Sequence, residues 1–227
     1  MNEALTDAAL LAQLKLPESD LKSLSFCKSA TSANVAQWID AQPLTQTRYI
    51  SAILYAALPE LARLKTDAQT HLDILDQVRP AVHVAIQGLS KAFLHQPLIL
   101  PEPARKAAVI AQALQKHLSN AYLSALRTAF TERSSNELRA RALHRAITGL
   151  GLLLLRSYQL YTPTIKQLWL ELHTLYLLAE RNGLSELKTN DPLPNHQEVG
   201  SVKQAYLRIL LLAAARHNQL GQNDLYN

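Results

Sequence analysis

The most constraining feature of the sequence is a pair of long apolar stretches separated by one short break. They occupy residues 139–180 and read RARALHRAITGLGLLLLRSYQLYTPTIKQLWLELHTLYLLAE. The break falls at Thr162-Pro163, where a threonine hydroxyl can cap a helix and a proline fits the first helical turn. The stretch therefore predicts a helical hairpin, with one helix from Asn136 to Tyr161 and a second from Pro163 to Asn182.

The rest of the chain is expected to add further helices. It has 6 Gly and 6% aromatic residues, which favours helix over sheet. Apolar residues recur at helical spacing in residues 45–65, 67–93, 103–131 and 201–217, and the last segment is apolar enough to be nearly all buried. The sequence predicts an all-α fold of stacked helix hairpins, with about eight helices and no sheet. The spacing of Trp169, Leu172 and Tyr176 makes a tetratricopeptide-like stack one form of this fold.

The same pattern predicts how the chain is divided. Residues 1–30 are expected to form a peripheral N-terminal segment, because their stretch of apolar residues at helical spacing is short and breaks at Pro17. Residues 31–217 form a single helical domain, which contains a polar, proline-containing surface loop at 184–200. Residues 218–227 are expected to begin a further helix or linker, so we expect the chain to be a fragment of a longer protein.

The usual signatures of catalysis and of cofactor binding are missing. There is no Gly-rich phosphate loop, no His-Glu-x-x-His helix and no serine nucleophile elbow. His71, His83 and His95 are twelve residues apart, too far along a helix to share one metal ion. The single cysteine, Cys27, suits a reducing compartment, and no apolar run reaches the ~18 residues that span a bilayer. These features predict a cytoplasmic protein that is not an enzyme, with no cofactor, metal site or membrane span.

Basic residues are concentrated in the middle of the chain. Residues 101–160 carry 9 Lys/Arg against 3 Asp/Glu, whereas residues 1–100 carry 8 against 9 and residues 161–227 carry 6 against 6. Arg141, Arg145 and Arg156 fall on one stripe of the predicted helix, since separations of four and eleven residues are close to whole turns. With Arg139 they are the candidate partner-binding residues, as an exposed stripe that could hold an acidic peptide or a phosphate. A solvated helix face is the plainer alternative, and burial of Arg141, Arg145 and Arg156 against backbone carbonyls is a third.

Several short passages from Leu16 onward carry a family resemblance. They are LPESDLKSLSFC before the Trp38 helix, LDILDQVRP, LILPEP, ALHRAI with LLRSYQLYTP, LWLELHTLYLLAE, and YLRILLLAAA followed by NQL. They resemble the N-terminal helical region of gammaproteobacterial PilZ-domain-containing proteins. The resemblance implies a bacterial, non-catalytic module for protein interaction or oligomerisation in cyclic di-GMP signalling. Its partner would be another protein or a second copy, and cyclic di-GMP would bind a C-terminal β-barrel that these residues cannot form.

Two alternatives concern the arginines. The sequence Arg141-Ala-Leu-His-Arg145 matches the Arg-x-x-x-Arg half of a cyclic di-GMP-binding motif. It lies in the middle of a predicted helix and lacks an Asn/Asp-x-Ser-x-x-Gly partner, so we interpret the match as chance. The alternative function is a basic helical module that binds nucleic acid through phosphate contacts, whose affinity should fall steeply with salt.

Overall fold

The structure is a computed structural model, and it describes residues 54–90 except Ala56, 102–160, 165–189 and 200–224. Residues 57–61 are helical. The elements that follow are α1 (Ala68–Ser90), α2 (Glu102–Thr131), α3 (Asn136–Leu160), α4 (Ile165–Arg181), β1 (Lys188–Thr189), β2 (Gly200–Ser201) and α5 (Val202–Asp224). Contacts divide the chain into two compact units, Met1–Lys65 with Asp73–Ala121 and Thr66–Leu72 with Tyr122–Asn227.

The first unit has a core of aliphatic side chains at helical spacing. The ring of Tyr55 meets the ring of His117 on α2 edge to face, with centroids 5.1 Å apart. The fully buried side chains of this unit include Leu54, Leu58, Leu75, Val78, Val82, Ile86, Leu114 and Leu118. The three-and-four spacing of apolar residues therefore identifies the inward face of these helices.

The second unit is built around α3, which packs against α4, α5 and β1. Nearly every residue from Ala140 to Leu154 is buried. Many of them are alanine or glycine, and small side chains let neighbouring helices approach closely. At Gly151 the side chain of Ile209 on α5 lies where a Cβ atom would stand. A helix that is buried on most sides is a core helix, so α3 is the centre of this unit.

Side chains cap the N-termini of helices α1 and α5. Asp67 accepts the backbone NH of Thr70 at 2.9 Å and its hydroxyl at 2.7 Å at the start of α1. The hydrogen bonds from Thr70 hold the pKa of Asp67 below its ordinary value. Ser201 caps α5 by accepting the NH of Gln204, whose side chain accepts the NH of Ser201 in return. This reciprocal pair is a capping box.

The C-terminus of α4 carries a glycine cap. Gly183 has φ of 64°, and the NH of Leu184 returns to the carbonyl of Ala179 at 2.9 Å. Arg133 occupies the same left-handed conformation after α2, with φ of 51°. The predicted end of a helix at residue 131 and start of the next at Asn136 are confirmed, since α2 ends at Thr131 and α3 begins at Asn136.

The all-α class is confirmed, with two corrections of detail. The expected absence of any sheet is corrected by one antiparallel pairing of β1 with β2, Lys188 with Ser201 and Thr189 with Gly200. This pairing satisfies backbone groups at the base of the predicted 184–200 loop. Within the described residues there are five helices and the helical segment 57–61, fewer than the eight expected for the whole chain.

Other sequence predictions fall partly or wholly outside the described residues. The peripheral segment 1–30, the hairpin break at Thr162-Pro163 and residues 190–199 of the polar loop lie there. The helix predicted at 201–217 continues to Asp224. A single helical domain at 31–217 stays a prediction.

Candidate protein-interaction surface

Large apolar side chains are exposed on the outer faces of α4 and α5. On α4, Leu170 is 67% exposed and Leu177 is 43% exposed. On α5 the exposed fractions are 47% for Leu207, 72% for Leu211 and 45% for Leu212. Single exposed leucines are normal on protein surfaces, but a group of them on neighbouring helices is typical of an interaction site. We call this group the leucine surface.

The inner face of α5 explains why its leucines point outward. Val202, Tyr206, Ile209 and Ala213 are buried at helical spacing, and α5 packs against both α3 and α4. Leu207 and Leu211 lie on the opposite side of the helix, with the exposed Ala214 and Ala215 one turn further on. The helix therefore has two apolar faces, of which the protein itself covers one.

Aromatic side chains fix how α4 and α5 lie together. The rings of Tyr176 and Tyr206 stack with centroids 4.4 Å apart and planes 5° from parallel. His173 Nδ1 lies 3.1 Å from the Tyr206 hydroxyl oxygen, and burial raises the pKa of Tyr206. Since Lys203 reaches Glu186 beyond the end of α4, the two helices run antiparallel. In this antiparallel arrangement Leu170 and Leu211 both lie toward the same side of the stacked Tyr176–Tyr206 pair along the helices.

The turn after α4 holds this arrangement at a second point. The Lys203 ammonium group pairs with the Glu186 carboxylate, and the Lys203 NH donates to the Ser185 carbonyl at 2.9 Å. Hydrogen bonds from Ser185 and Tyr176 lower the pKa of Glu180, and the pKa of Lys203 is raised by Glu186. These contacts join the turn after α4 to the first turn of α5.

The prediction that the last helix is nearly all buried is wrong. The sequence pattern is apolar on most sides of α5, which usually indicates a core helix. In the structure α5 has neighbours on one side only among the described elements, α3, α4 and β2. The sequence signal that could have separated the two faces is the helical spacing of one stripe, Val202, Tyr206, Ile209 and Ala213, which is the buried face in the structure.

The predicted arginine stripe does not form an exposed surface. Arg145 is 2% exposed and lies within the core of the second unit. Arg141 and Arg156 are half-buried, both have interaction partners, and burial lowers the pKa of Arg156 to about 10. Arg139 points elsewhere: its Nε donates to the Ser134 carbonyl at 2.8 Å, and its guanidinium lies 5.6 Å from the centroid of the Phe130 ring.

The expectation of an exposed stripe is therefore corrected, because α3 is enclosed by its neighbours. A surface that binds nucleic acid through phosphates needs accessible cations. Because the arginines of α3 are largely buried, they give less support to the nucleic-acid alternative. The assignment of these four arginines to partner binding stays a prediction. Among the described residues, no group of three or more His, Cys, Asp or Glu is placed to hold a metal ion. None of the helices in the described ranges combines the length and the hydropathy of a membrane span.

The structure is that of an all-α domain in which α4 and α5 expose leucine side chains on their outer faces. Comparison with known proteins gives its family. A family model described as "Cyclic-di-GMP receptor FimW, N-terminal domain" matches residues 33–227, and the chain belongs to this family. The chain is 38% identical over 214 residues to the cyclic-di-GMP receptor FimW of Pseudomonas aeruginosa strain PAO1.

That alignment covers 93% of this chain and 35% of the relative, so the chain spans about a third of the relative's length. No solved structure matches the chain. The family predicted from short sequence passages, the N-terminal helical region of cyclic di-GMP signalling proteins, is confirmed.

Proposed function

We propose that this domain is a non-catalytic protein-interaction module of a cyclic di-GMP receptor, and that the leucine surface is its contact face. The observation that carries the proposal is the exposure of Leu170, Leu177, Leu207, Leu211 and Leu212 on two helices of fixed geometry. Exposing this much apolar surface costs free energy in water, about 25 cal/mol for each Å². A partner that covers these side chains recovers that free energy.

The relative supplies the signalling context. That relative is named a cyclic-di-GMP receptor, and the matched region is about a third of its length. In our proposal the nucleotide is bound by a PilZ-type C-terminal domain, and the helical domain conveys the bound state to another protein. The sequence supports this assignment of roles, because the helical region contains an Arg-x-x-x-Arg sequence but no Asn/Asp-x-Ser-x-x-Gly sequence to complete a cyclic di-GMP-binding motif. The single cysteine favours the cytoplasm as the place where it acts.

The proposal is tested by removing the apolar contact without disturbing the fold. Leu207→Ser with Leu211→Ser places two serines on the outer face of α5. Lys116→Ser with Asn120→Ser is the matched control, because both residues are exposed on a helix and have the same spacing. Circular dichroism and thermal unfolding should show that both variants stay folded.

The readout is quantitative capture of proteins from the native lysate after nuclease treatment, together with the molar mass of each purified variant in solution. We expect the leucine variant to lose at least about tenfold in capture or in self-association, and the control to match the wild type. Equal capture and equal mass for all three proteins would refute an interaction role for this face. Capture that disappears with nuclease treatment would favour nucleic acid.

A further inference from the structure

We draw no further inference here: the strongest candidate, the leucine surface on the outer faces of α4 and α5, already serves as the contact face of the proposed function, and nothing in the structure shows what covers it.

Discussion

Replacing Gly151 with alanine should destabilise the second unit, although alanine is the better helix former. A Cβ atom at this position would lie 2.4 Å from both Cδ1 and Cγ1 of Ile209 and 3.0 Å from its Cγ2. Ile209 is 5% exposed and belongs to the inner stripe of α5, so it has little room to move. The added methyl group must push α5 away from α3 or force Ile209 from its rotamer.

The magnitude comes from two opposing effects. Glycine to alanine within a helix gains about 1 kcal/mol from conformational entropy. Overpacking a filled core costs about 1 to 3 kcal/mol. Because two carbon atoms of Ile209 would overlap the added methyl group, we expect a cost in the upper part of that range. We expect a net loss of about 1 to 2 kcal/mol in the free energy of unfolding, measured by urea titration followed by circular dichroism.

A double-mutant cycle shows whether the loss comes from this contact. Ile209→Ala removes all three clashing carbons and alone should cost about 2 to 4 kcal/mol, because it leaves a cavity. In that background Gly151→Ala should become neutral or stabilising, since the clash is gone and the helix propensity remains. Ile209→Val is the matched control, because both of its γ carbons stay in place and the clash persists. Equal effects of Gly151→Ala in all three backgrounds would refute the reasoning.

Three further predictions concern helix ends. Gly183→Ala should lower the free energy of unfolding by about 1 kcal/mol, because φ of 64° strains any residue with a Cβ atom; a urea titration with no change would contradict this. Arg133→Gly should raise the free energy of unfolding by up to about 1 kcal/mol, because φ is 51° at this position and glycine adopts that conformation without strain. The comparison holds if the slope of the urea titration is the same for both proteins. Asp67 should stabilise α1 fully above its ordinary pKa and lose that effect as pH falls through its lowered folded pKa. The difference between wild type and Asp67→Ala should therefore shrink from neutral pH to pH ~3, and a constant difference would count against the charged cap.

Local sequence signals predicted the elements and their ends well. The helix ends predicted at residues 103, 131, 136 and 182 lie within one residue of the observed ends of α2, α3 and α4. These features depend on the residues at each helix end, which the sequence shows directly. The family could also be predicted, because its short passages are spread along most of the chain.

The exposure of whole helices could not be predicted in the same way. The sequence favoured an exposed stripe on α3, with its arginines, and a buried α5, with its leucines. The structure reverses both, because exposure depends on how many neighbours a helix has and not on its composition alone. On α3 the alanines and Gly151 let other elements approach closely enough to enclose Arg145. On α5 the packing uses one stripe and leaves Leu211 outside.

The two faces of α5 place different demands on variation among related chains. Substitutions on the inner stripe must suit the close approach at Gly151, where even one methyl group changes the fit. Substitutions at Leu207, Leu211 or Leu212 touch little of the protein's own interior, so they can accumulate without loss of the fold. The inner stripe of α5 is therefore constrained by packing, whereas its outer face can change. A change on the outer face can alter binding specificity while the fold of the domain stays the same.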